Sequence, residues 1–228
     1  MKASIAAINV GKPQQVAYGQ KEVSTGIYKQ PVERALFLSK VNFEGDGQAD
    51  LVHHGGPEKA VCVYAFEHYA YWEKELQRQL GFGAFGENVT TIGLLEADVC
   101  IGDTFRMGEA LVQVSQPRQP CFKLAVKYGL PDMPVKVQQT GYTGYYFRVL
   151  EEGRVSREDG LVRVARHPHA VSIAFANQIM HVEKDDRVGI ERILGVDALS
   201  VNWRETLTKR LAGIVGDTSE RLKGNLVD

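Results

Sequence analysis

A chain of 228 residues with 44% hydrophobic and 24% charged residues has the composition of a globular protein large enough to bury a full core, which excludes disordered and fibrous classes. Its formal net charge of −1 excludes attraction of the whole molecule to nucleic acid polymers or anionic membranes, so an anionic ligand must meet a local cluster of cations. Three cysteines without a Cys-x-x-Cys spacing, no signal-peptide pattern in the first ten residues and no apolar run of membrane-spanning length predict a reducing, cytoplasmic setting.

In chain order, residues 4–10, 35–41 and 60–64 read as strands, being short β-rich runs bounded by glycine turns. From Glu67 onward Tyr69, Trp72, Leu76 and Leu80 recur at helical spacing, with Gly81 as the stop, which predicts a helix covering one opening of a barrel. Strands follow at 97–101 and 110–115, and Leu124, Ala125 and Tyr128 suggest a short helix ended by Gly129. Residues 145–150 and 161–165 read as strands, with a hairpin turn at 151–154. After His167-Pro168-His169 the period changes to that of helices: Ile173, Ala176, Ile179 and Met180, then Ile190, Ile193 and Leu194, then Leu199, Trp203, Leu207 and Leu211. Ser172 and Ser200 are the expected N-caps, and the last dozen residues are expected to fray. The fold class is therefore mainly β: a barrel over residues 1–167 with a few covering helices, and a small three-helix C-terminal appendage over residues 168–228.

The segment with most chemistry in it is Ser115-Gln116-Pro117-Arg118-Gln119-Pro120-Cys121-Phe122-Lys123. Two prolines stiffen the turn, and a helix start with Arg118 and Lys123 on either side would favour an exposed, ionised Cys121 thiolate of lowered pKa. Cys62 and Cys100 lie inside β-branched apolar runs and read as inert thiols. In the run from Asp50 to Ala60, Gly55 and Gly56 follow His53-His54, a turn whose amides could approach an anion while Lys59 adds charge. Adjacent histidines rarely reach one ion together, so neither this pair nor the His167-Pro168-His169 triplet predicts zinc. Residues 83–91, with Asn88, and 138–144 offer donors and acceptors suited to a fused heterocycle.

Together these segments resemble the MOSC family, the domain also found at the C-terminus of molybdenum-cofactor sulfurases, and most of all its bacterial hydroxylaminopurine-resistance branch. The resemblance rests on the stretch from His54 to Ala60, Gly86-Glu87-Asn88, Gly102-Asp103 with Phe105, Ser115 through Cys121, and Lys123. It implies a MOSC-type β-barrel that binds a molybdopterin cofactor, with Cys121 as the molybdenum ligand and catalytic residue. His54, Gly55, Gly56, Lys59, Asn88, Arg118 and Lys123 would be the pterin and phosphate contacts. His53 departs from the family pattern, in which a small or aliphatic residue precedes a single histidine. By the same resemblance the substrates would be N-hydroxylated small molecules: hydroxylaminopurine-type bases, hydroxylamines and amidoximes. No flavin, haem or iron–sulfur motif is present in the sequence, so a separate flavin or iron–sulfur reductase would supply electrons to a monomer or homodimer. The pyridoxal-phosphate domain of the large sulfurases has no counterpart, and no residues for that cofactor are found. The alternative function is a sulfur carrier or transferase that uses a Cys121 persulfide in metal–sulfur cofactor assembly.

Overall fold

The structure, a computed structural model, describes residues 2–50 and 55–224. Its elements begin with β1 (Lys2–Val10), the hairpin β2 (Gln14–Tyr18) and β3 (Lys21–Thr25), the two-residue β4 (Gln30–Pro31) and β5 (Leu36–Leu38). Next come β6 (Val61–Ala65), α1 (Tyr69–Leu76), β7 (Val89–Ile92), β8 (Thr104–Met107) and β9 (Ala110–Pro117). Two short helices, α2 (Lys123–Tyr128) and α3 (Met133–Thr140), precede β10 (Tyr145–Glu151), β11 (Gly153–Val155) and β12 (Leu161–Ala165). The chain ends in α4 (Ile173–His181), α5 (Arg187–Leu194), α6 (Val201–Leu211) and α7 (Ser219–Lys223).

Seven strands close a mixed barrel in the order β12-β8-β9-β10-β6-β7-β1, sealed where Lys2 and Ala3 of β1 pair with Val162 and Leu161 of β12. Closure removes the free edges an open sheet would leave unpaired. Only β6 and β7 run parallel, which requires a crossover, and α1 lies in it. All five residues of β6 are buried because both its faces are covered: Val61 and Val63 point into the barrel core, while Tyr64 joins a second cluster with Trp72, Phe85, Leu124, Met133 and Val137. That is why its sequence is continuously apolar rather than alternating.

The C-terminal helices begin at side-chain caps, as expected: Ser172 accepts from the Phe175 N–H at 3.1 Å and Ser200 from that of Trp203 at 3.4 Å. Their apolar faces do not form a separate core. Ile173, Ile179, Ile193, Trp203 and Leu207 belong to the same cluster as the barrel residues Phe105, Val112 and Phe147. Glu58 ties the two parts together, its carboxylate accepting from the Val201 N–H at 2.8 Å and from Arg148 at 2.9 Å.

Several expectations need correction. Residues 97–101 form turns rather than a strand, because the Asp103 carboxylate accepts from the Cys100 N–H and the Asp103 N–H bonds back to the Cys100 carbonyl. The predicted strand over 35–41 shortens to β5, and residues 151–154 do not join paired strands. Instead β11 pairs with β5, β10 with β6 and β9, and β12 with β8 and β1. α1 ends a turn before Gly81, at Gln77, which takes a left-handed φ of 50°. Residues 138–140 are the last turn of α3, not a loop. The expected fraying does not extend to α7, which is held against the Pro120–Phe122 segment and α3; residues 225–228 lie outside the described residues.

Candidate functional site

The Cys121 segment is placed by the end of β9. Pro117 and Gln116 pair with Tyr145 and Tyr146 of β10, and the Arg118 N–H extends the ladder to the Gly144 carbonyl at 3.0 Å. The chain then leaves the barrel, and Cys121 sits at the start of α2, its carbonyl accepting from the Leu124 N–H at 3.0 Å. Its side chain borders two adjoining cavities. The inner one, about 70 Å³, is bounded by Lys29, Lys59, Cys62, Arg118, Lys123 and Tyr146 among others. The outer one, about 560 Å³, shares Lys59, Cys121 and Tyr146 with it. Its far wall comes from α4, α6 and the tail, with His181, Lys184, Asn202, Thr206, Arg210 and Arg221.

Cys121 is 5% exposed, so the exposed thiolate expected from the sequence is not what the fold builds. Burial pushes the thiol up, against the pull of the Lys123 N–H and the charges of Arg118, Lys123 and Arg221. The expected downward shift is therefore corrected: desolvation, invisible in the flanking sequence, outweighs the flanking cations. Cys62 faces the same inner cavity, although its sequence context read as inert; burial pushes its thiol up to about 11.

Of the other predicted contacts, Lys59, Asn88, Arg118 and Lys123 all line the inner cavity. Arg118 is 7% exposed, and its Nη1 and the Oε1 of Gln116 are buried without a hydrogen-bond partner among the described residues. Lys123 lies 4.0 Å from the Asp50 carboxylate. Lys59 is held below the usual lysine range, chiefly by burial and against the pull of Asp50 and Glu58. Asn88 is engaged within the protein: its amide donates to Asp46 at 2.8 Å and to the Asn9 carbonyl at 3.3 Å, and its oxygen accepts from the Cys62 N–H at 3.1 Å. Asp46 in turn carries a buried ion pair to Lys29. Gly55 and Gly56 lead into a 3-10 turn at Pro57–Lys59 and are not among the described lining residues, while His53 and His54 lie outside the described residues.

Residues 83–91 prove to be a brace. The buried Glu87 carboxylate accepts from Tyr69, Thr90 and the N–H groups of Gly83 and Phe85, which leaves it nothing to offer a ligand. Sequence reasoning missed Lys29, Cys62 and Tyr146 inside, and Gln116, His181, Arg210 and Arg221 outside. Gln116 alone was signalled, by its place in the proline-rich segment.

Chemically, the inner cavity offers cations, a guanidinium N–H without a partner among the described residues and a soft sulfur, and the adjoining chamber is lined by Gln116, whose amide oxygen is likewise unpaired among them. That donor set suits an anionic, hydrogen-bonding heterocycle bearing a thiophilic metal. The inner cavity alone is too small for such a ligand; with the adjoining chamber the space reaches the range of cofactor sites. Among the described residues, no helix is long and apolar enough to cross a membrane.

Comparison with known proteins gives a match to the MOSC domain over residues 50–162 and to the YiiM-like 3-alpha helix domain over residues 171–213. YflK of Bacillus subtilis is 56% identical over 207 residues, covering 91% of this chain and 94% of that protein. The crystal structure of YiiM from Geobacillus stearothermophilus superposes with a TM-score of 0.79 at 45% identity, covering 92% of this chain and 99% of the other. A protein of Gibberella moniliformis named "Reductase" is 34% identical over 163 residues, which are 70% of this chain but 29% of that protein.

Proposed function

This chain belongs to the MOSC domain family, and on that footing we propose that it binds a molybdopterin-type cofactor through Cys121 and reduces N-hydroxylated small molecules. The observation that carries the reading is a pair of buried atoms without a hydrogen-bond partner among the described residues, Arg118 Nη1 on the inner cavity's lining and Gln116 Oε1 on the outer chamber's, the two spaces meeting at Cys121. A buried polar group left unpaired costs about 1–3 kcal/mol, which a ligand presenting an acceptor to the arginine and a donor to the amide would recover. When bound, the cofactor supplies the two-electron redox chemistry, and the protein supplies position, charge and water exclusion.

In this reading Lys59, Arg118 and Lys123 neutralise the anionic part of the cofactor. The Cys121 sulfur, soft and ionised once metal-bound, is the protein ligand. Gly55, Gly56 and Asn88 act indirectly, the glycines through the turn that presents Lys59 and Asn88 by fixing Asp46 and the Cys62 backbone. The outer chamber, walled by α4 and α6, receives the substrate next to the same sulfur. Reduction of the N–O bond takes up two electrons and two protons and releases the amine and water. The electrons come from a separate reductase protein carrying a flavin or an iron–sulfur cluster.

The test is protein purified from a molybdenum-replete host, assayed for molybdenum and, with a chemical electron donor, for conversion of hydroxylaminopurine to adenine. Stoichiometric molybdenum and turnover are expected, both lost in Cys121→Ser. Metal-free protein carrying a labile sulfur on Cys121 would instead establish the persulfide carrier. Equal turnover in parent and variant would remove Cys121 from the chemistry.

A further inference from the structure

The tail returns to the site from the far end of the chain, beyond residue 213, where the second family match ends. Its residue Arg221 engages both neighbours of Cys121. The side chain donates through Nη1 to the Pro120 carbonyl, and the main-chain carbonyl accepts from the Phe122 N–H at 2.8 Å. The second guanidinium nitrogen donates to Gln138 Oε1 of α3 at 3.0 Å, so the contact is anchored to a helix packed in the second core. Gly224, just after α7, lies against the Phe122 ring.

We propose that Arg221 is a positioning residue for Cys121, holding the two peptide groups that flank the cysteine and thereby fixing the sulfur at the junction of the two cavities. The geometry supports a specific role over generic packing. Cys121 lies between a proline, which has no N–H to contribute, and a residue whose N–H finds no partner in its own helix, being in the first turn. A single residue about a hundred positions away satisfies one group on each side. Arg118 and Lys123, the other cations acting on the sulfur, belong to the cysteine's own segment, whereas Arg221 reaches it from the far end of the chain. The inference rests on Cys121 being the site's reactive group, but not on what that group binds.

The experiment uses full-length, metal-free protein and follows carbamidomethylation of each cysteine by mass spectrometry at one pH, with Cys62 and Cys100 as internal controls. In Arg221→Gln the rate at Cys121 is expected to rise at least about threefold as its segment opens locally, while the rates at Cys62 and Cys100 stay unchanged. Gln138→Ala, which removes the anchor, should move the Cys121 rate the same way by less, and Arg221→Lys, which keeps one donor and the charge, should restore most of the protection. A Cys121 rate that is unchanged or lowered in Arg221→Gln, or a rise shared by all three cysteines, overturns the proposal. Parent protein that never takes up molybdenum yet shows the Arg221-dependent protection would defeat the proposed function and leave this inference standing; molybdenum-loaded parent without that protection would do the reverse.

Discussion

Cys121 and Cys62 border one pocket and differ in what surrounds the sulfur. Cys62 sits mid-strand in β6, and burial dominates its titration. Cys121 is buried as well, but it has the Lys123 N–H and three guanidinium or ammonium groups working against that burial; in the proposed function it is the thiol that a metal would ionise. His181, on the outer wall, is a further titratable group in an unusual setting. Its Nε2 is buried without a partner among the described residues, and burial, followed by Arg221, Arg210 and Lys184, holds its pKa down to about 3. The folded protein keeps this imidazole neutral while the unfolded chain takes up a proton near the ordinary value of about 6.5. Its contribution to stability is therefore complete above that ordinary value and is lost as the pH falls toward about 3. Urea midpoints compared between about pH 7 and about pH 4.5 should fall less in His181→Gln than in the parent; an equal fall in both would show that His181 is not the group responsible.

At the scale of elements, the turn before β8 carries more than its length suggests. Gly102 adopts a φ of +88°, and an added Cβ would stand 2.4 Å from the His167 ring and 3.1 Å from Ala198. The same turn holds the buried Asp103 carboxylate, which accepts from the N–H groups of Cys100 and His167 and from Arg163. Gly102→Ala is therefore expected to cost about 2–4 kcal/mol, from backbone strain together with an overpacked contact, measured as a lower denaturation midpoint. An unchanged midpoint would mean that the joint between barrel and helices yields freely. The run at 97–101 looked like a strand because apolar β-branched residues are buried in both settings. Here the burial comes from the C-terminal segment, Val99 accepting from the Ile173 N–H and Ile101 donating to Val171. Local sequence has no means of telling burial by a neighbouring strand from burial by a helix.

Across the whole molecule, the barrel and the three C-terminal helices α4 to α6 share one hydrophobic cluster, and the far wall of the outer chamber comes from α4, α6 and the tail. Trp203, fully buried in that cluster, is expected to cost about 3–5 kcal/mol when replaced by alanine. Loss of helical circular dichroism and exposure of the barrel thiol Cys62 should then shift together to lower denaturant. Two separated transitions would instead show that the helices unfold as an independent unit. What the sequence by itself determined is what short-range periodicity and composition encode: a β-rich first part, three capped helices at the end, and a proline-stiffened cysteine flanked by cations. The MOSC resemblance was legible for the same reason, since its motifs are contiguous. The tertiary structure decided whatever depends on distant segments meeting: the burial that raises the Cys121 thiol, the use of Asn88 on Asp46 across 42 positions, and Arg221 reaching Pro120 across 101. Desolvation and long-range pairing are properties of the closed barrel and its returning tail, and no window of neighbouring residues contains them.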